Sequence, residues 1–211
     1  MSQPTGLLPA ATFPPLAWFH RAQRSGVEVC VHEHYVKQSL RNRVALVGPE
    51  GPFDLSLPVH RRGASTRSIR DVLFTDRVEP KAFLRVLQTN CGRAPFFDHL
   101  MPEVEAWAHE HLVPGAPLLE ASLASTRWAC HWLGMAHPPV TQRYHEHVPH
   151  DNRPKSAWRD LATPTYPQVF EDRLGFVAGR SILDVLFHVG PEAALLPSRH
   201  GNVDPEADCP S

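Results

Sequence analysis

Twelve consecutive residues limit what this chain can fold into: His32-Glu33-His34-Tyr35-Val36-Lys37-Gln38-Ser39-Leu40-Arg41-Asn42-Arg43. They carry three cations, a carboxylate, two imidazoles and two side-chain amides, wedged between the apolar runs Val27–Val31 and Val44–Val47. Short β-branched runs of this kind predict buried strands. Polar density between two core strands is costly unless it lines a cleft or faces water. Its cations ask for an anion, and two guanidiniums on one strand face can grip a phosphate or carboxylate in bidentate fashion. Arg41 and Arg43 are expected to share such a face, with Asn42 opposite and Lys37 adding a point charge from the preceding loop.

The chain around this segment reads as one α+β domain. Pro14-Pro15 opens a helix to about Gln23, and residues 43–47 and 53–59 form a hairpin about Gly48-Pro49-Glu50-Gly51-Pro52. Ser68–Phe74 reads as a further strand, giving a mixed β-sheet from the N-terminal half. The middle region is helical: one helix begins at Pro80, a second spans Phe96 to about Leu112, and a third spans Leu118–Leu133 with Gly134 as its stop. Pro139–His145 reads as a short strand, His150–Ala178 mostly as loop, and Ser181–Val189 as a short closing helix ended by Gly190-Pro191. Residues 1–10 are expected to be a flexible tail, 11–196 the domain, and 197–211 a disordered tail.

Net charge is −1, so no long-range field draws nucleic acid or an anionic membrane, and charge recognition must be local. No apolar run reaches the ~20 residues of a membrane span, and Met1–Trp18 lacks a signal-peptide pattern. Cys30, Cys91, Cys130 and Cys209 are widely spaced and suit free thiols, so a cytoplasmic location is expected. Arginine greatly outnumbers lysine: Lys37, Lys81 and Lys155 are the only lysines. Lys37 and Lys155 both fall in polar clusters.

Other clusters compete for a role. His32-Glu33-His34 recurs as His145-Glu146-His147, and histidines two apart on extended backbone point the same way, an arrangement a metal-dependent enzyme can use. No ligand spacing of a named metal motif is present, so no metal is assigned. His150-Asp151-Asn152-Arg153-Pro154-Lys155 offers Asp151 as a base and Arg153 and Lys155 as anion ligands. Ser181, Asp184 and His188 invite a triad, but a nucleophile and base strung along one short helix do not converge. Ser181 and Asp184 instead read as an N-terminal capping signature, with Asp184 able to point into a site. Cys91, beside Gly92-Arg93, is a weaker candidate nucleophile. No Walker loop or Rossmann glycine pattern occurs.

These residues resemble the WbqC-like family. The likeness rests on His32–Arg43, Leu55-Ser56-Leu57-Pro58-Val59, Arg93-Ala94-Pro95-Phe96-Phe97 and Asp151-Asn152-Arg153-Pro154-Lys155. Its most specific part is Tyr166-Pro167-Gln168-Val169-Phe170, then Gly175-Phe176 and Ser181–Phe187, so that it runs from about Thr12 to Ala194. The resemblance implies a bacterial cytoplasmic protein of surface-polysaccharide (O-antigen type) biosynthesis, transferring glycine or a related acyl group to an activated sugar. It implies a shared site in which Lys37, Arg41, Asn42, Arg43, Arg153, Lys155, Gln168 and Asp184 bind an anionic substrate, a nucleotide-sugar or acyl donor. Asp151, His32 and His34 are the acid/base candidates; no cofactor is indicated. A non-catalytic binding protein of the same pathway is the alternative. The chain departs from the family at Thr12-Phe13-Pro14-Pro15-Leu16, which lacks the usual Gln and Tyr, and at Leu40 and Cys91, where aromatics are common.

Overall fold

A computed structural model describes residues 3–61, 68–159, 161 and 163–197. The fold begins earlier than expected. Gly6–Pro9 forms strand β1, with Leu7 and Leu8 fully buried. It is followed by helix α1 (Leu16–Ala22) and strand β2 (Val27–Cys30). β1 pairs in parallel with β2, from Gly6 opposite Val27 to Pro9 opposite Cys30. Parallel pairing requires a crossover, and α1 supplies it by burying Leu16, Trp18, Phe19 and Ala22. On its other edge β1 pairs in parallel with β7 (His150–Asp151). The expected tail is therefore corrected: β1 is the middle strand of a three-stranded sheet.

The remaining strands form two antiparallel pairs. β3 (Arg43–Gly48) and β4 (Gly51–Ser56) make the expected hairpin, in register from Arg43–Ser56 to Gly48–Gly51. β5 (Val59–Arg61) pairs with β6 (Val72–Phe74). Ile69–Asp71 is a 3-10 turn rather than strand, because the Ser68 hydroxyl caps it by accepting from the Arg70 N–H. Of the expected 139–145 strand, one bridge survives, between Val29 and Val140. The class is α+β, and among the described residues the strands are divided among three small sheets.

Helices α2 (Pro80–Cys91), α3 (Phe97–His111) and α4 (Leu118–Trp132) follow the sequence pattern. In α2, Phe83, Leu87 and Cys91 recur every four residues and are buried. Gly134 follows α4 at φ +61°, the left-handed geometry that ends a helix. After the short α5 (Glu171–Leu174), helix α6 (Ile182–Val189) is buried along all of Ile182 to His188. A side chain at Gly190, at φ +58°, would meet the Phe96 ring at 2.7 Å, so the chain turns there on glycine. The core holds the aromatic cluster of Phe13, Phe83 and Trp107 and the Phe97–Phe187 ring pair that joins α3 to α6, and it includes Cys30, Cys91 and Cys130 as small buried residues. Cys209 and most of the expected C-terminal tail lie outside the described residues.

Candidate functional site

Residues 32–42 contain no helix or strand; they run as an irregular segment from the end of β2 to the start of β3. Such a segment needs its backbone satisfied elsewhere. The Thr12–Pro15 turn does much of this. The Thr12 N–H donates to Leu40 O at 3.0 Å and its hydroxyl to Arg41 O at 2.8 Å. The same turn accepts from the Ser181 hydroxyl at Phe13 O (2.7 Å) and from the Ile182 N–H at Pro14 O (2.8 Å). Phe13 sits at φ +44°, a backbone geometry disfavoured for a bulky residue, with its ring edge-on to Trp107 at 4.5 Å. The departure from the family pattern at this turn thus lies at the junction of the polar segment, α4 and α6.

Arg41 is the strut of the segment. It is 2% exposed and forms a bidentate ion pair with Glu33, also 2% exposed. Its Nε donates to Glu33 Oε1 at 2.9 Å, Nη2 to Glu33 Oε2 and, at 3.2 Å, to Arg153 O, and Nη1 to the Ser39 hydroxyl at 3.2 Å. Glu33 Oε1 also accepts from the Ala10 N–H at 3.1 Å. Burial raises the Glu33 carboxyl above its usual range, against the opposing pull of Arg41. Arg41 and Arg43 do not present twin guanidiniums from one strand face, because β3 starts only at Arg43 and Arg41 turns inward before it.

Two adjoining cavities open beside this strut. The larger, 410 Å³, is lined by Tyr35, Lys37, Asn42, Arg43, Ser56 and His60 among others. The smaller, 220 Å³, is lined by Leu40, Arg41, Ala45, Lys155, Trp158 and Arg159 among others. Gln38 and Arg43 line both. Gln38 holds φ +54°, a strained backbone at the divide. Arg43 donates from Nη1 to Asp54 at 3.1 Å, and among the described residues its other nitrogens have no partner. Asn42 donates from Nδ2 to Leu57 O at 3.0 Å, while its buried Oδ1 has no partner among the described residues. His60, missed from the sequence, adds an imidazole to the larger cavity. Its one signal was its place just beyond the hairpin, in the strand that follows Pro58.

The structure thus gathers Lys37, Arg41, Asn42, Arg43 and Lys155 around one cleft. The other expected site residues line neither cavity. Arg153 is tied up by Asp151, through Nε to Oδ1 at 2.9 Å and Nη2 to Oδ2 at 2.8 Å, and by the carbonyls of His145 and Glu146. Burial pushes the Asp151 carboxyl up, but the Arg153 hydrogen bonds and charge outweigh it and hold it below the ordinary range. A carboxylate held this way is a poor base. His32 accepts at Nε2 from Arg70 at 3.2 Å, and burial with the Arg70 charge holds its pKa down. His34 stacks on Tyr144, ring centroids 6.1 Å apart.

The two His-Glu-His segments do not make a metal centre. Among the described residues no three of histidine, cysteine, aspartate and glutamate are placed to hold an ion, and Glu33 is committed to Arg41. Cys91 is fully buried and burial drives its thiol pKa upward, the opposite of an activated nucleophile.

Gln168 and Asp184 belong to a buried network instead. Tyr166 donates its hydroxyl to Asp184 Oδ2 at 2.7 Å, and Gln168 donates Nε2 to the same oxygen at 2.9 Å. Gln168 also accepts from the Val177 N–H at 2.8 Å. His188 accepts the Val169 N–H at Nε2 (2.9 Å), so its proton lies on Nδ1, which donates to Asp184 O at 2.6 Å. The pair pins residues 166–177 onto α6. Asp184 serves this network rather than the expected capping box, since the Ser181 N–H donates to Ala45 O. The Ser181 hydroxyl does cap α6, accepting from the Leu183 N–H at 3.2 Å.

Fold and cleft together define an α+β protein whose cleft is lined by Lys37, Arg43 and Lys155. Residues 10–155 match the model of the WbqC-like protein family, and the chain belongs to that family. The Tyr166–Phe187 motifs of the sequence resemblance lie beyond the matched residues. Searches of curated proteins and of solved structures found no match. Among the described residues no helix is long and apolar enough to cross a membrane.

Proposed function

We propose that the protein acts in bacterial surface-polysaccharide biosynthesis. In this reading it binds an anionic small molecule, a nucleotide-sugar or acyl donor, in the cleft divided by Arg43, and transfers an amino-acid or acyl group to an activated sugar. Family membership supports the pathway. The observation that carries the binding step is the convergence of Lys37, Arg43 and Lys155 on two cavities with a shared wall. Lys37 supplies a mobile point charge, and Arg43 a guanidinium oriented by Asp54 with nitrogens to spare. Arg41 works from beneath, fixing Ser39 and the Arg153 carbonyl. Proton transfer falls to His60, since its imidazole lines the larger cavity whereas Asp151 lines neither and is held as a weak base by Arg153.

A thermal-shift screen of the purified chain against nucleotide-sugars and acyl donors tests the binding step. A ligand at ~100 times its Kd stabilises by about 2.7 kcal/mol, a shift of several degrees. The expected outcome is a raised midpoint that disappears in Lys37→Ala and Arg43→Ala, whose unliganded midpoints stay near wild type because both side chains are at least partly exposed. Equal shifts in wild type and both variants would overturn the assignment.

A further inference from the structure

The two cavities share Gln38 and Arg43 but carry different side chains beyond them, and that difference specifies a ligand. The smaller combines the apolar surfaces of Leu40, Ala45 and Trp158 with the cations Lys155 and Arg159. The larger sets Lys37, Asn42, Ser56 and His60 beside Tyr35, Leu57 and Val59, with no indole. At 220 Å³ the smaller is below the ~300–1,000 Å³ of ordinary ligand pockets, whereas the pair is not. Arg43 and Gln38 belong to both, so one molecule can run from one to the other across the Arg43 guanidinium.

Trp158 is built as a fixed platform. Its indole N–H donates to Asn152 O at 2.7 Å. The Arg21 guanidinium lies over the ring, 4.4 Å from its centroid, and is itself held by Ala157 O at 2.9 Å. The indole is therefore locked by its edge and through a cation–π contact, while it still lines the cavity. A locked aromatic surface beside cations suits a flat ring joined to an anion. In the other cavity the buried Asn42 Oδ1, unpartnered among the described residues, and the Ser56 hydroxyl suit a hydroxylated group.

We infer that the cleft takes a bipartite ligand of the nucleoside-diphosphate class, its base against Trp158, its diphosphate at Arg43 between Lys37 and Lys155, and a hydroxylated substituent in the larger cavity. This rests on the anion-binding reading above and adds to it that Trp158 holds the ligand's base by stacking. The other flat-ended source, an aromatic acid without phosphate, lacks the charge that both cavities offer.

Isothermal titration of the full chain with inorganic pyrophosphate, UDP and ADP tests it. At least one nucleotide should bind about ten-fold tighter than pyrophosphate, the increment of one base stacked on an aromatic ring. Trp158→Leu should bring that nucleotide down to the affinity of pyrophosphate and leave pyrophosphate itself unchanged; Trp158→Phe should keep most of the gain. Lys155→Ala, an exposed change that spares the fold, should weaken both ligands; if Trp158→Leu misfolds, the wild type's gain for a nucleotide over pyrophosphate carries the test. Pyrophosphate that binds and depends on Arg43, with no gain for either nucleotide or with a gain that survives Trp158→Leu, overturns the bipartite ligand and leaves the anion site standing. Binding of none of the three, or binding indifferent to Arg43→Ala, overturns both.

Discussion

At the scale of single residues, the cations separate into those that hold the fold and those free to hold a ligand. Arg41 and Arg153 are committed to Glu33 and Asp151, while Lys37 and Lys155 are exposed and Arg43 is only partly engaged. Asp151 offers a test through pH. Arg153 depresses its carboxyl in the folded state, so below the ordinary aspartate pKa of about 3.9 the unfolded chain takes up the proton first. The stability from this pair is thus present above that value and fades as pH falls through the depressed folded pKa. Wild type should melt above Asp151→Asn at pH 7, and the two should converge as pH drops below about 3.9. Asp151 is about a third exposed, so solvent screening limits the difference to about 1 kcal/mol. Melting midpoints of both proteins across the acid range settle it; a gap that widens towards low pH would be the wrong sign.

At the scale of elements, legibility followed periodicity. Helices α2, α4 and α6 announce themselves by apolar spacing, Pro80 and Gly134 at the ends, and Ser181 as cap. β1 does not: Gly6-Leu7-Leu8-Pro9 is four residues, too short to alternate and closed by proline. Its strand character comes from the partners on either side, which sequence does not display. The polar segment drew notice through its composition, and Lys37, Asn42 and Arg43 do line the cleft. That Arg41 turns inward was hidden, because it depends on where β3 begins and on Glu33 eight residues earlier in the chain. Gln168 and Asp184 look like site residues for the same reason: polar side chains in buried surroundings read alike whether they meet a ligand or one another. The Glu33–Arg41 pair gives this scale its prediction. Glu33→Gln leaves the Arg41 charge buried without a counter-ion, a loss of about 3–5 kcal/mol. Urea titration should show that drop, and replacing both residues by apolar ones should recover part of it. A single variant within 1 kcal/mol of wild type would mean that water reaches Arg41.

At the scale of the whole molecule, the cleft depends on a strand at the far end of the sequence. β1 is hydrogen-bonded to β2 and β7, and Ala10, just beyond it, donates its N–H to Glu33. Pro9 itself lines the smaller cavity, and its carbonyl accepts from the Trp18 indole at 3.1 Å. Asn152, just past β7, donates its N–H to Leu7 O at 2.9 Å and accepts from the Trp158 indole, so β1 also sets the platform proposed for the base. Removing residues 2–9 therefore deletes the centre of a three-stranded sheet, exposing the edges of both neighbours and the buried Leu7 and Leu8 pocket. Burial of two leucines alone is worth about 3–6 kcal/mol, comparable with the whole stability of many domains. The truncated chain should lose its cooperative thermal transition and its ligand-induced shift together, as read by circular dichroism and by the same thermal-shift assay. A truncated chain that melts cooperatively near the wild-type midpoint would mean that β2 and β7 close without β1, and that the cleft is held by the Glu33–Arg41 strut alone.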